Sequence, residues 1–160
     1  GEVPVDRVIA IAERVAEGNQ HEIAFADTIG VGAPAQVTEI FTRARAALPG
    51  IPLRGHFHNT RNTGLANAYA ALQAGASTLD ASCGGIGGCP FAPAATGNIP
   101  TEDLVYMLHR SGVSTGVSLE GLIETAQWLQ AQLGRPVPGM LGKAGVFPRP
   151  AAAAGEPTRC

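Results

Sequence analysis

Apolar residues recur at three- and four-residue steps along the first stretch of the chain, where Val5, Val8, Ile9, Ala12, Val15 and Ala16 fall on one stripe. That spacing predicts an amphipathic helix from Pro4 to Gly18, with Pro4 suited to its first turn and Gly18 to its stop. Ile23-Ala24-Phe25-Ala26-Asp27 is short and almost wholly apolar, the pattern of a strand covered on both faces in a parallel sheet. After Gly30-Val31-Gly32, Pro34 opens a second helix that places Val37, Ile40, Phe41, Ala44 and Leu48 on one face before Pro49-Gly50 ends it. A second strand begins at Leu53. A third helix, from about Thr63 to Leu72, carries Leu65, Tyr69 and Leu72 on its stripe with Gly75 as its C-terminal cap, and Thr78 to Ser82 predicts a third strand.

Strands starting near residues 23, 53 and 78, separated each time by one helix, repeat at the spacing of a (β/α)₈ TIM barrel, in which eight units take roughly 250 residues. The predicted fold class is therefore α/β, a partial barrel of three strand-helix units followed by C-terminal helices. A glycine-rich, helix-poor segment from Gly84 to Asn98 comes next. Pro100 or Thr101 then begins a helix with Leu104, Val105 and Leu108, and Ser118 caps another that carries Leu119, Leu122, Ile123, Ala126, Leu129 and Leu133 up to Gly134. No further strand is expected. Beyond Arg135 the Pro, Gly and Ala content, including Ala151 to Ala154, predicts a loosely ordered tail, so the expected division is a domain over 1–134 and a tail over 135–160.

Composition narrows the function classes. At 160 residues and 45% hydrophobic the chain suggests a single globular domain. A formal charge of -2, with scattered Lys and Arg, provides no basic footprint for nucleic acid. No apolar run is long enough to cross a membrane and no signal-peptide pattern is present, so a soluble, cytoplasmic protein is expected. Cys83, Cys89 and Cys160 are too few and too irregular for a disulfide scaffold. The chain opens on Gly1 with helix-like sequence almost at once, which raises the expectation of a missing upstream part.

Candidate chemistry collects around Leu53-Arg54-Gly55-His56-Phe57-His58-Asn59-Thr60. On a strand, His56 and His58 point the same way and Phe57 the other, so two imidazoles can share one metal ion. A pair of half-exposed histidines at a strand end is the bland reading of the same spacing. Three strands ending in Asp27, in His56 with His58, and in Asp80 with Ser82 converge on the C-terminal edge of a parallel sheet, where barrel enzymes build their sites. For Asp80 alone a helix N-cap or solvated loop residue is the favoured reading. The glycine-rich segment fits neither a dinucleotide fingerprint nor a phosphate loop, since Pro90 stands at the sixth position from Gly85 and no Lys follows. It suits instead a tightly turned or mobile loop presenting Cys89 as an acid or base, while Cys83 reads as an inert thiol.

Asp27-Thr28-Ile29-Gly30-Val31-Gly32, His56-Phe57-His58-Asn59-Thr60, Gly64-Leu65-Ala66-Asn67, Gly84-Gly85-Ile86-Gly87-Gly88-Cys89-Pro90, Thr96-Gly97-Asn98 and Thr101-Glu102-Asp103-Leu104-Val105-Tyr106 together resemble the C-terminal half of hydroxymethylglutaryl-CoA lyase. That is a member of a superfamily of metal-dependent TIM-barrel acyl-CoA lyases and synthases. The resemblance runs from Gly1 to about Gly134 and implies barrel strands six to eight plus the C-terminal helices. It implies a divalent metal, Mg²⁺ or Mn²⁺, held by His56, His58 and the carbonyl of Asn98. It also implies proton transfer by Cys89, with Asp27 and His56 beside an acyl-CoA substrate. The implied reaction is retro-Claisen cleavage of 3-hydroxy-3-methylglutaryl-CoA to acetyl-CoA and acetoacetate, in leucine degradation and ketone-body formation, by a complete protein expected to be a homodimer.

Two departures stand out. Asn59 replaces the family's usual Asp and Arg61-Asn62-Thr63 its usual loop, which leaves the acyl group open. An Arg, an Asp ligand and a Glu that the family carries on its first two strands are expected upstream of Gly1. The competing enzyme reading is an isopropylmalate- or homocitrate-type synthase, which Cys89-Pro90 argues against because those enzymes resemble Gly-Glu-Arg-x-Gly-Asn at that place. A non-catalytic half-barrel is the reading from another class.

Overall fold

The computed structural model describes residues 2–89 and 92–148, with backbone alone at 89 and 92–96. Three parallel strands form one sheet in the order β1 (Ile23–Asp27), β2 (Leu53–Phe57), β3 (Thr78–Asp80). Helices α1 (Val5–Ala16), α2 (Pro34–Ala47) and α3 (Gly64–Gln73) alternate with them, as the apolar periodicity predicts. β3 is shorter than the expected Thr78–Ser82, since Ser82 makes only an isolated bridge to Pro100. This is an α/β fold built on a parallel sheet.

The strand register sorts side chains onto two faces. Ile23 beside Leu53 and Phe25 beside Gly55 face the helices, whereas Ala24 beside Arg54 and Ala26 beside His56 face away. On the helix side Phe41 of α2 anchors the core, 1% exposed, its ring 5.3 Å edge-on from Phe25 and 6.5 Å from Phe57. Ile9 and Ala12 of α1 and Leu104 and Leu108 of α4 (Thr101–Arg110) complete the cluster.

Four sequence expectations need correction. In α3 Leu65 and Leu72 of the expected stripe pack against the core, but the fully buried face is Gly64, Asn67, Ala68 and Ala71, while Tyr69 is exposed; small residues allow the helix to lie close to the sheet, and a Tyr there would hold it off. Val15 of α1 is likewise exposed. A two-stranded antiparallel hairpin, β4 (Gly88–Cys89) and β5 (Ala92–Thr96), follows a 3-10 turn at Cys83–Gly85, where no strand was expected. Gly, Pro and Ala runs carry no alternation from which a strand can be read. Finally, residues 135–144 are not a loose tail: after α5 (Leu119–Leu133) the chain turns back to bury Val137 and Leu141, and Leu141–Ala144 forms α6. Residues 149–160, with Ala151–Ala154 and Cys160, lie outside the described residues.

Candidate active site at the C-terminal edge of the sheet

Because the three strands are parallel, Asp27, His56 and Asp80 all end on one edge. His56 and His58 stand with ring centroids 5.3 Å apart and planes at 60°. The chain returns to this edge after β5, where His58 bridges antiparallel to Asn98, the Asn59 amide donates to the Gly97 carbonyl at 3.2 Å and the Ile99 amide to the Phe57 carbonyl at 3.4 Å. Backbone pairing thus brings Asn98, from the segment after β5, beside the pair of imidazoles at the end of β2. Gly64 lets this happen, since a Cβ there would stand 2.5 Å from Ile99 and 3.0 Å from the His58 carbonyl oxygen.

Two buried polar atoms here have no partner among the described residues, His58 Nδ1 and Asn98 Oδ1. Unpaired buried acceptors are costly unless something absent satisfies them. Burial, and next the neighbouring His56, hold the His58 pKa below its ordinary value; the imidazole is therefore neutral, the form that coordinates a metal. No group of three His, Cys, Asp or Glu suited to a metal occurs among the described residues; across the bridge from His58 stands Asn98, whose amide oxygen is the unpaired atom. The donor set fits a divalent ion.

Asp80 is not a solvated loop residue. Its Oδ1 accepts from Arg54 Nη1 at 2.6 Å and its Oδ2 lies 3.5 Å from His56 Nδ1. Arg54 also donates to Glu22 at 2.6 Å, and Thr78 to Glu22 at 2.8 Å, so a polar ladder beneath the histidines covers the open face of the sheet. Hydrogen bonds from Thr78 and then Arg54 hold the Glu22 carboxyl below its usual range.

Asp27 ends the neighbouring strand, near enough for its charge to favour a protonated His58 against the larger effects of burial and His56. Its register partner is Phe57, on the opposite face from His56, and its two carboxylate oxygens accept from the Val31 and Gly32 amides at 2.9 Å each. Buried Asn67 donates to the Gly32 carbonyl at 2.9 Å, and Arg61 donates to the Ile29 and Gly30 carbonyls at 3.1 and 2.9 Å. Asp27 therefore organises the β1–α2 loop. Sequence reasoning missed this role of Asp27, and also Glu102, which is fully buried and accepts from the Gly84 amide at 3.0 Å. The Asp27-Thr28-Ile29-Gly30 spacing was the available signal for the first, and nothing in a helix-favouring Thr-Glu-Asp-Leu run marks the second. Cys83, whose thiol is pushed up by burial and then by Glu102, is a weak nucleophile. Of Cys89 the backbone alone is described, in β4; its side chain and Pro90 lie outside the described residues.

Comparison with known proteins follows the same segments. The HMGL-like family model matches residues 1–129. The chain belongs to the HMGL-like family. An (R)-citramalyl-CoA lyase from Chloroflexus aurantiacus is 49% identical over 93% of this chain and 47% of its own length. A hydroxymethylglutaryl-CoA lyase from Bacillus subtilis is 43% identical over 86% of the chain and 46% of its own. A solved HMG-CoA lyase from Acinetobacter baumannii, in complex with coenzyme A and 3-methylmalate, superposes with a TM-score of 0.89 at 41% identity, covering 94% of this chain and 50% of that one. The chain spans about half the length of the HMGL-like relatives it matches.

Proposed function

We propose that the complete protein is a divalent-metal-dependent carbon–carbon lyase of a 3-hydroxyacyl-CoA thioester, with residues 1–134 as the C-terminal part of its (β/α)₈ barrel domain. The observation that carries this reading is the meeting of His56, His58 and Asn98, two of them with buried unpaired ligand atoms. These three would hold Mg²⁺ or Mn²⁺, which supplies Lewis-acid polarisation of the substrate hydroxyl. A base beside the substrate receives the tertiary hydroxyl proton, while His56, on the open side of the sheet with Nδ1 3.5 Å from Asp80, would serve as ligand and orient that hydroxyl. The carbon–carbon bond then breaks, the carbinol becoming a carbonyl while the bonding pair passes to the thioester enolate. Protonation of that enolate by the Cys89 thiol gives acetyl-CoA. Asp27 enters the proposal as a catalytic residue beside the substrate, supported by the reach of its charge to His58, and as the residue that shapes the β1–α2 loop bordering the site. A cytoplasmic setting belongs to the same proposal, supported by cysteine spacing without a disulfide framework.

3-Hydroxy-3-methylglutaryl-CoA, cleaved to acetyl-CoA and acetoacetate, is the first substrate to test, because hydroxymethylglutaryl-CoA lyases recur among the relatives. Citramalyl-CoA is the second reading, favoured by the 49% identical relative. The complete gene product, loaded with Mn²⁺, should be assayed with both thioesters and for the reverse condensation. Cleavage of either supports a lyase and names the acyl group. Condensation without cleavage would favour the synthase alternative, and no turnover with intact metal binding the non-catalytic half-barrel.

A further inference from the structure

Glu102, in the first turn of α4, is the one acidic side chain buried among the described residues, and the cleavage chemistry leaves it without a task. Its Oε2 accepts the Gly84 amide at 3.0 Å and its Oε1 has no partner among the described residues. Gly84 is held from its other side as well, its carbonyl accepting the Gly139 amide at 3.0 Å. With φ +70° and Val137 3.0 Å from where a Cβ would stand, the site admits no larger residue. Gly139 packs so closely on Glu102 that an added Cβ would collide with Oε1. The neighbouring Asp103 fixes the same returning segment, accepting the Met140 and Leu141 amides at 2.9 and 2.7 Å. Beyond Gly84 the loop is tied again where Asn98 Nδ2 donates to the Ile86 carbonyl at 3.2 Å, and it then enters the hairpin at Gly88–Cys89.

A buried carboxyl bound by its own backbone amide and that of Gly84 is an expensive way to fill a core position. Its cost is understandable if the Gly84 amide it holds matters more than the core does. We propose that Glu102 is a positioning residue that, through Gly84 and with Gly139 as its backstop, fixes the root of the glycine-rich loop and so sets where Cys89 stands relative to His58 and Asn98. Its catalytic consequence rests on the lyase reading, whereas the anchor itself does not.

The test uses the complete protein as wild type, Glu102→Ala, Glu102→Gln and Gly139→Ala. Hydrogen exchange over residues 84–89, the alkylation rate of Cys89 mapped apart from Cys83, and steady-state cleavage are measured together. Glu102→Ala should raise loop exchange roughly tenfold or more. It should also lower kcat about 10- to 100-fold, with KM moved by no more than about twofold. Glu102→Gln keeps an acceptor for the Gly84 amide and should restore most of both, while Gly139→Ala, by displacing the carboxyl, should behave like Glu102→Ala. Unchanged loop exchange and alkylation in folded Glu102→Ala overturn the proposal, as does a loosened loop with unchanged kcat. If Glu102→Ala does not fold, Gly139→Ala decides by the same criteria; if neither folds, Glu102 serves the whole domain and the proposal is overturned. A wild type that cleaves no acyl-CoA, with loop exchange still responding to Glu102, leaves the anchor standing and removes the lyase reading instead.

Discussion

Cys89→Ala in the complete protein should lose about 10²- to 10⁴-fold in turnover, the range a proton-transfer group contributes, while Mn²⁺ titration stays close to wild type. Cys89→Ser should remain impaired because a hydroxyl is a far weaker acid than a thiol. His58→Ala should instead abolish tight Mn²⁺ binding, and turnover with it, since its partnerless Nδ1 leaves the ring no other task among the described residues. Turnover unchanged in Cys89→Ala would make the thiol structural, and metal binding unchanged in His58→Ala would mean the ligands are elsewhere. Asp27→Asn tests the loop role of Asp27. An amide keeps one acceptor oxygen and turns an NH₂ toward a backbone amide, where the carboxylate accepts from both Val31 and Gly32. Urea unfolding should show a loss of about 1–2 kcal/mol, and an unchanged midpoint would leave Asp27 only its place beside the substrate.

Among the elements, α5 and the core around α2 illustrate two sources of stability. Ser118 caps α5 by accepting the Gly121 amide at 3.1 Å, and Gly134 closes the helix in the left-handed conformation with φ +63°, both as the sequence predicts. Ser118→Ala should cost about 1 kcal/mol. Phe41→Ala should cost about 3–5 kcal/mol, because the ring fills the space between Phe25 and Phe57 and its loss leaves a cavity. Thermal melts of the two variants side by side check the ranking, which fails if the cap costs as much as the ring. Helix and strand positions were legible because each of these elements repeats its apolar pattern over several residues. The buried face of α3 was legible only in part: Leu65 and Leu72 do pack against the core, but the covered side centres on Gly64, Ala68 and Ala71, whose small side chains permit an approach that Tyr69 does not.

For the whole molecule two features matter. β1 and β3 each have one strand neighbour among the described residues, and a cleft of about 530 Å³ runs along β3, lined by Leu79, Ala81, Leu104 and Leu108 among others. Unpaired strand edges beside apolar surface invite association. The 160-residue chain alone should therefore sediment as oligomers or aggregate, and a monodisperse, folded monomer would contradict this. Glu102 adds a pH dependence. Burial raises its pKa above the ordinary carboxylate value, so the folded chain holds this proton more tightly than the unfolded one. The resulting stability is full below the unfolded pKa and lost as pH rises through the folded one. Glu102→Gln should flatten the fall of stability with rising pH by at most about 1.4 kcal/mol per unit, read from denaturation midpoints across pH 4 to 8, and a parallel pair of curves would show that the group does not titrate on folding.

The apolar periodicity determined by itself that helix and strand alternate from α1 to β3, and that His56 and His58 point to one side, because both follow from fixed periods of the backbone. Tertiary structure alone decided which distant groups meet. Asn98 reaches His58 only through pairing of the chain that returns after β5, and Asp27 is fixed by the Val31 and Gly32 amides of the loop that follows it. Glu102 is buried only because the segment after α5 folds back over it, placing Gly139 against its carboxyl. Local periodicity carries no information about contacts of that range, since they are set by strand register and by how closely packed backbones can approach.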